Sequence, residues 1–243
     1  KLATCLSQLY HEYKRGVKAG YAKFETFPIW SLDLKHPVNI AYEAATADLK
    51  DINMIDSFHL KAYGEVAVNY NRDLECFPVV SNIITKITGD SKLYQSPTDM
   101  GVNMAGFAIK NDKIVRRAAE FEVIRRYQKA LVDFKLGQGS LETAQRIELL
   151  MSELKISPAD REIVPKTARM AKDFSVPVVG LQLENGTCVF GKNKDHISAA
   201  SACVLNALKT IAKIDDKIEL IPENILLPVC EVKRDRLKVR NGQ

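Results

Sequence analysis

Asn69-Tyr70-Asn71-Arg72-Asp73 places an arginine between two amides and an acid just ahead of a helical run. An arginine at a helix start can grip a phosphate or carboxylate with two parallel N–H bonds while the first backbone N–H groups of the helix point the same way. The same residues also suit a plain N-cap closed by an ion pair, and both readings stand. A second polar run, Ser96-Pro97-Thr98-Asp99, leads through Gly101 to Asn103 in a stretch rich in turn formers. Asp48, Asp51, Asn53 and Asp56 add to the density of hydrogen-bonding groups between residues 23 and 104. Loop acids and amides of this kind mostly serve turns and caps. At the other end of the segment, Leu2, Leu6, Leu9 and Tyr13 fall at spacings of three and four, so a helix starts at the first residue without cap, turn or strand ahead of it. If a glycine-rich phosphate loop precedes that helix, Lys1 is its lysine.

Other motifs fail, and the failures narrow the chemistry. Gly101 and Gly106 have phosphate-loop spacing, but Phe107 and Ala108 stand where lysine and a hydroxyl residue belong. His11-Glu12 opens like a zinc-protease helix, yet Arg15 takes the place of the second histidine. His196-Ile197-Ser198 lacks the glutamate of a zinc deaminase. His36 and His59 are isolated in sequence and read as packing or surface residues. No zinc site is expected.

These groups need elements to hold them. A helix over 2–15 ends at Gly16, and 20–30 alternates aromatic and polar residues until Pro28, which predicts a strand carrying Lys23, Glu25 and Thr26 on its polar side. A helix over 39–50, irregular chain to Asn71 and an amphipathic helix over 73–88 follow. Ile114, Ala118, Phe121, Ile124, Tyr127, Leu131 and Phe134 form the apolar stripe of a helix over 112–135. Ser140 caps the next helix, and Ser157-Pro158-Ala159-Asp160 starts a third. Two β-rich runs flank Asn185-Gly186, the pair suited to a type I′ hairpin. After Asp195 as N-cap, a helix over 198–212 is apolar on nearly every face and is expected to be buried. The division expected is an α/β domain over 1–108, a helical subdomain over 109–174 and an α/β segment over 175–243.

Composition is that of a globular protein, with 46% hydrophobic and 27% charged residues. No apolar run reaches the roughly 20 residues that span a bilayer. Five scattered cysteines without a C-x-x-C pair suit a reducing, cytoplasmic setting. The net charge of +5 is mild, and Lys233, Arg234, Arg236, Lys238 and Arg240 against Glu231 and Asp235 supply +3 of it. Without a nucleic-acid motif or stacking platform, neither nucleic acid nor membrane is an expected partner.

The stretches Lys1 to Glu12, Gly20 to Trp30, Asn69 to Asp73 and Ser96 to Met104 resemble a bacterial family, domain of unknown function eighteen-forty-six, with the match loosening after Pro228. Members are longer at both ends and carry a Pro-Gly-Ser-Gly-Lys loop whose lysine aligns with Lys1. The resemblance implies a truncated chain, a fragment, whose fold is an incomplete three-layer α/β core of phosphate-loop type with a helical insertion and a C-terminal β-hairpin plus helix. It further implies nucleotide-dependent phosphoryl transfer in the intact protein, with ATP and magnesium. Lys1 and Arg72 would then contact phosphate, Thr4 would lie near the magnesium because Leu2 replaces the usual hydroxyl residue, and Asp73 or Asp99 would orient a substrate hydroxyl. Glu25, Asn69, Asn71, Thr98 and Asn103 are the expected substrate contacts. A peptidase label given to some relatives finds no nucleophile triad or metal signature here. The alternatives are a non-catalytic module for a small anionic ligand, with helices forming a homo-oligomer interface, or an inactive fragment.

Overall fold

The computed structural model describes residues 2–22, 28–194 and 197–238. The chain divides into two compact units, Lys1–Ser157 and Pro158–Gln243.

In the first unit, α1 (Leu2–Lys14) buries Leu6 and Leu9 in a cluster with Phe77, Val80 and Ile84 of α4 (Asn71–Thr88) and with Met100. These α4 positions recur at three and four, so one stripe faces the core although Pro78 stands inside the helix. A second cluster joins α2 (Pro37–Ala45), α5 (Asp112–Lys135) and α6 (Leu141–Leu154). His36, Asn111 and Ser140 cap the three helices through their side chains. The buried residues of α5 are Ala119, Val123, Ile124 and Ala130, whereas Ile114 and Phe134 of the expected stripe are 65% and 44% exposed. Ala119 and Ala130 share the cluster with Ala41, Ala44 and Ala144, and small residues let helix backbones approach closely. Ile124 is fully buried and Phe121, Tyr127 and Leu131 pack against the cluster, so the expected stripe holds at the middle of α5 and fails towards its ends.

The region expected to be irregular up to Asn71 holds β1 (Asn53–Ile55), α3 (Ser57–Tyr63) and β2 (Val68–Tyr70). The two strands pair antiparallel, with Met54 opposite Asn69. Of the strand expected over 20–30, residues 23–27 lie outside those described, and residues 20–22 and 28–30 are in no strand.

In the second unit, α7 (Ile163–Phe174) packs on an antiparallel hairpin of β3 (Val178–Gln182) and β4 (Cys188–Lys192). Leu183 N bonds Thr187 O, Gly186 N bonds Leu183 O, and only Gly186 of the loop has positive φ. The turn is therefore a three-residue loop with a left-handed glycine rather than the expected type I′. Helix α8 (Ala199–Ala212) packs on the hairpin and is capped by Ser198; the expected cap, Asp195, lies outside the described residues. Contrary to expectation α8 is only partly buried, because the hairpin covers Ala199, Cys203 and Ala207 while Val204, Leu208 and Ile211 are more than half exposed. Helix α9 (Glu223–Glu231) follows.

The fold is mixed α/β. Both sheets among the described residues are two-stranded and antiparallel, so the expected three-layer phosphate-loop core is not formed by them. Parallel cores need long crossovers between strands buried on both faces, and these short ladders have neither. The helical subdomain expected over 109–174 is split. Helices α5 and α6 pack with α2 in the first unit, and α7 joins the hairpin in the second.

Candidate functional site

The β1–β2 ladder sets the start of α4. Asn71 N donates to Ile52 O at 3.0 Å, and Ile52 N donates to Asn71 Oδ1 at 2.9 Å, so the Asn71 side chain prolongs the ladder into the first turn of the helix. The next residue, Arg72, is thereby held beside Asp51, and its Nη2 donates to Asp51 Oδ2 at 2.8 Å. Asp51 is 2% exposed, while the Arg72 side chain is 56% exposed. Burial pushes the Asp51 carboxyl above its ordinary range, Arg72 opposes that, and Asp73 and Asp48 add to the rise. A buried acid thus holds one terminal nitrogen of a guanidinium that is itself half-exposed.

Two buried amides support this corner. Asn39 accepts from Ile29 N and donates to the carbonyls of Ile29, Leu32 and Asp33, tying the described chain before α2 to that helix. Asn53 Nδ2 donates to Asn39 O at 2.8 Å, and Asn53 N donates to Glu43 Oε2 at 3.1 Å. Burial raises the Glu43 carboxyl, and the bond from Asn53 N works against it.

A second polar cluster hangs from the other end of β1. Asp56 caps α3, accepting from Phe58 N and His59 N, and its second oxygen accepts from Thr98 N at 3.2 Å and Thr98 Oγ1 at 2.6 Å. Ser96 and Asp99 form a reciprocal capping box around the Thr98–Met100 turn: Asp99 N donates to Ser96 Oγ, and Ser96 N donates to Asp99 Oδ2. Tyr63 OH also donates to Asp99 Oδ2, at 2.9 Å, and both burial and this bond raise the tyrosine's affinity for its proton. His59 Nδ1 lies 3.0 Å from Ser96 Oγ and Nε2 lies 4.0 Å from Glu65 Oε2. This outline resembles a nucleophile with its base, but Ser96 is fully buried and its oxygen is engaged on both sides. It is a structural knot.

The expected site residues are therefore scattered. Arg72, Asn71 and Asp73 share the first turn of α4, with Asn69 buried on the adjoining β2. Thr98 and Asp99 belong to the Asp56 cluster. An extended chain from Asp51 to Asp56 spans roughly 16 Å, so the two clusters sit at opposite ends of β1. Asn103 caps the Met104–Ala108 turn, accepting from Ala105 N at 2.9 Å. Thr4 is exposed on α1. Lys1 and Glu25 lie outside the described residues. Among the described residues, no group of three His, Cys, Asp or Glu side chains is gathered as metal ligands, and no helix is long and apolar enough to cross a membrane. Asp51, Asp56 and Ser96, which fix the geometry, carried a signal in the sequence: Ser96-x-x-Asp99 is a capping-box pattern, and the acids flank a short strand.

The model for domain of unknown function DUF1846, N-terminal, matches residues 1–155, and that for DUF1846, C-terminal, matches residues 159–243. The chain belongs to the DUF1846 family. The expectation that the match loosens after Pro228 is corrected by the second of these matches, which runs to the last residue. A UPF0371 protein of Clostridioides difficile aligns over 99% of this chain at 51% identity. UPF0371 proteins of Fusobacterium nucleatum and Clostridium tetani are 50% and 53% identical over 99% and 96% of the chain. The chain spans about half the length of these curated relatives. The boundary between the two DUF1846 matches coincides with the division between the two units at Ser157.

Proposed function

We propose that the first unit binds a small phosphate-bearing anion at the start of α4, with Arg72 as the principal contact. The observation that carries this reading is the Asp51–Arg72 pair, a nearly fully buried carboxylate holding a half-exposed guanidinium at the N-terminus of an 18-residue helix. A guanidinium fixed on one edge loses little freedom when its other donors take up an oxyanion, and the helix dipole favours the same charge. Phosphoryl transfer from ATP with magnesium, in a cytoplasmic protein, is the activity such a site would serve. In it Lys1 would add a second phosphate contact, Thr4 a hydroxyl near the metal, and Asn69 and Asn71 polar substrate contacts.

Of the two acids expected to orient a hydroxyl, Asp73 is favoured because it shares the helix turn with Arg72. Asp99 is engaged by three donors on one oxygen, so Thr98, Asp99 and Asn103 are better read as scaffolding.

The test is calorimetric titration of pyrophosphate and of ATP with magnesium into the chain and its Arg72→Ala variant. Binding weakened by at least about tenfold, near 1.4 kcal/mol, supports the site. Equal affinity in both proteins removes it.

A further inference from the structure

A second recess in the first unit owes nothing to Arg72. Where the end of α2, the middle of α5 and the start of α6 meet, the protein surrounds about 330 Å³, a volume within the range that holds small molecules. Its floor is apolar and buried, formed by Ala44, Ala130 and Ile147. Four charged side chains stand on its walls. Two of them satisfy each other, since Lys129 Nζ donates to both oxygens of Asp133 at 2.9 and 2.7 Å.

The other two do not. Arg126 donates through Nε to Glu122 Oε1 at 2.7 Å, which fixes the plane of the guanidinium, and its two terminal nitrogens have no partner among the described residues. Asp48 has no hydrogen bond or ion pair among the described residues, and the two form no pair with each other. Glu122 is shared by Arg125 and Arg126, so it neutralises Arg126 only in part, and Arg126 and the unpaired Asp48 line the same recess over an aliphatic floor. Ser140 and Thr143 line the recess as well, so the positive end of α6 lies on it and reinforces the preference for a carboxylate.

We propose that this recess binds a small zwitterion of the amino-acid type with a short aliphatic side chain, its ammonium at Asp48 and its carboxylate at Arg126. A ligand with only one charge would leave one of these walls unanswered, and a large side chain would outgrow the floor.

Three probes separate the contributions. L-leucine carries both charges, 3-methylbutylamine lacks the carboxylate, and 4-methylpentanoate lacks the ammonium. Calorimetry or saturation-transfer NMR on the whole chain is expected to give saturable binding, with leucine at least about fivefold tighter than either single-charge probe. Asp48→Asn should weaken leucine and the amine by about tenfold and leave 4-methylpentanoate unchanged, while Arg126→Gln should do the reverse. Asp48 is exposed and unpaired, so Asp48→Asn should keep the parent's melting curve, while Arg126→Gln gives up a bond to Glu122 that Arg125 still holds and should lower the melting temperature only slightly. Arg72→Ala should leave leucine binding unchanged, which keeps failure here distinct from failure of the phosphate site. No saturable leucine binding, equal affinity for all three probes, or indifference to Asp48→Asn overturns the assignment.

Discussion

At the scale of single residues, the same acid can be a scaffold or a ligand contact depending on what its oxygens already hold. Asp56 accepts four hydrogen bonds and is fully buried, so it links α3 to the Thr98 turn and has nothing left for a substrate. Asp56→Ala should leave four donors buried without acceptors and lower stability by about 3 kcal/mol or more, measured by urea unfolding. Asp51 is different because its partner is half-exposed. Its raised carboxyl pKa means that ionised Asp51 is held in the fold at a cost, a cost absent below the ordinary carboxylate range and incurred as pH rises through the raised value. Asp51→Asn should therefore be tolerated in stability at neutral pH, within about 1 kcal/mol, yet loosen Arg72 and weaken phosphate binding several-fold. A variant that unfolds, or that binds phosphate as well as the parent, would contradict this reading of the pair.

At the scale of elements, helices were legible wherever caps and periodicity agreed, and the misses have physical causes. Ser140 and Gly16 mark helix ends through local chemistry that needs no tertiary contact. The strands β1 and β2 are three residues each, too short to show a period, and so passed as irregular chain. The stripe expected on α5 is met at its centre by Phe121, Ile124, Tyr127 and Leu131 and missed at Ile114 and Phe134, while the small residues Ala119 and Ala130, which carry no large apolar signal, join the core beside it. The polar residues of the site were visible as a set. Their division between the two ends of β1 was not, since only the register of the ladder decides it. On α5 itself, the hydrogen bond from Arg125, with Arg126 beside it, holds Glu122 well below the ordinary carboxylate value, at about 2, against the opposing effect of burial. A depressed carboxylate stabilises the fold above its ordinary pKa of 4.5 and loses that contribution as pH falls towards 2. The melting temperature of the parent should exceed that of Glu122→Gln at neutral pH, and the gap should close by about pH 2. A gap that persists in acid would assign the effect to packing instead.

At the scale of the whole molecule, the division at Ser157 separates two ways of making a core. The first unit buries helices against helices and hangs a two-stranded ladder from them, and the second lays α7 and α8 on a hairpin. In the second unit Gly191 of β4 lies against the α8 backbone, where an added Cβ would collide with the backbone at Cys203 and Ala199. Gly191→Ala should force α8 off the hairpin and cost on the order of 2 kcal/mol, read as faster hydrogen exchange across β3, β4 and α8. Unchanged exchange there would mean that the close approach is not required. The phosphate site of the first unit turns on one side chain, Arg72. The most direct measurement is calorimetric titration of ATP with magnesium into the parent chain and Arg72→Ala under identical salt. Saturable binding in the parent, weakened by at least about tenfold in the variant, is the predicted result; equal binding in both, or none in the parent, would contradict a phosphate site at the start of α4.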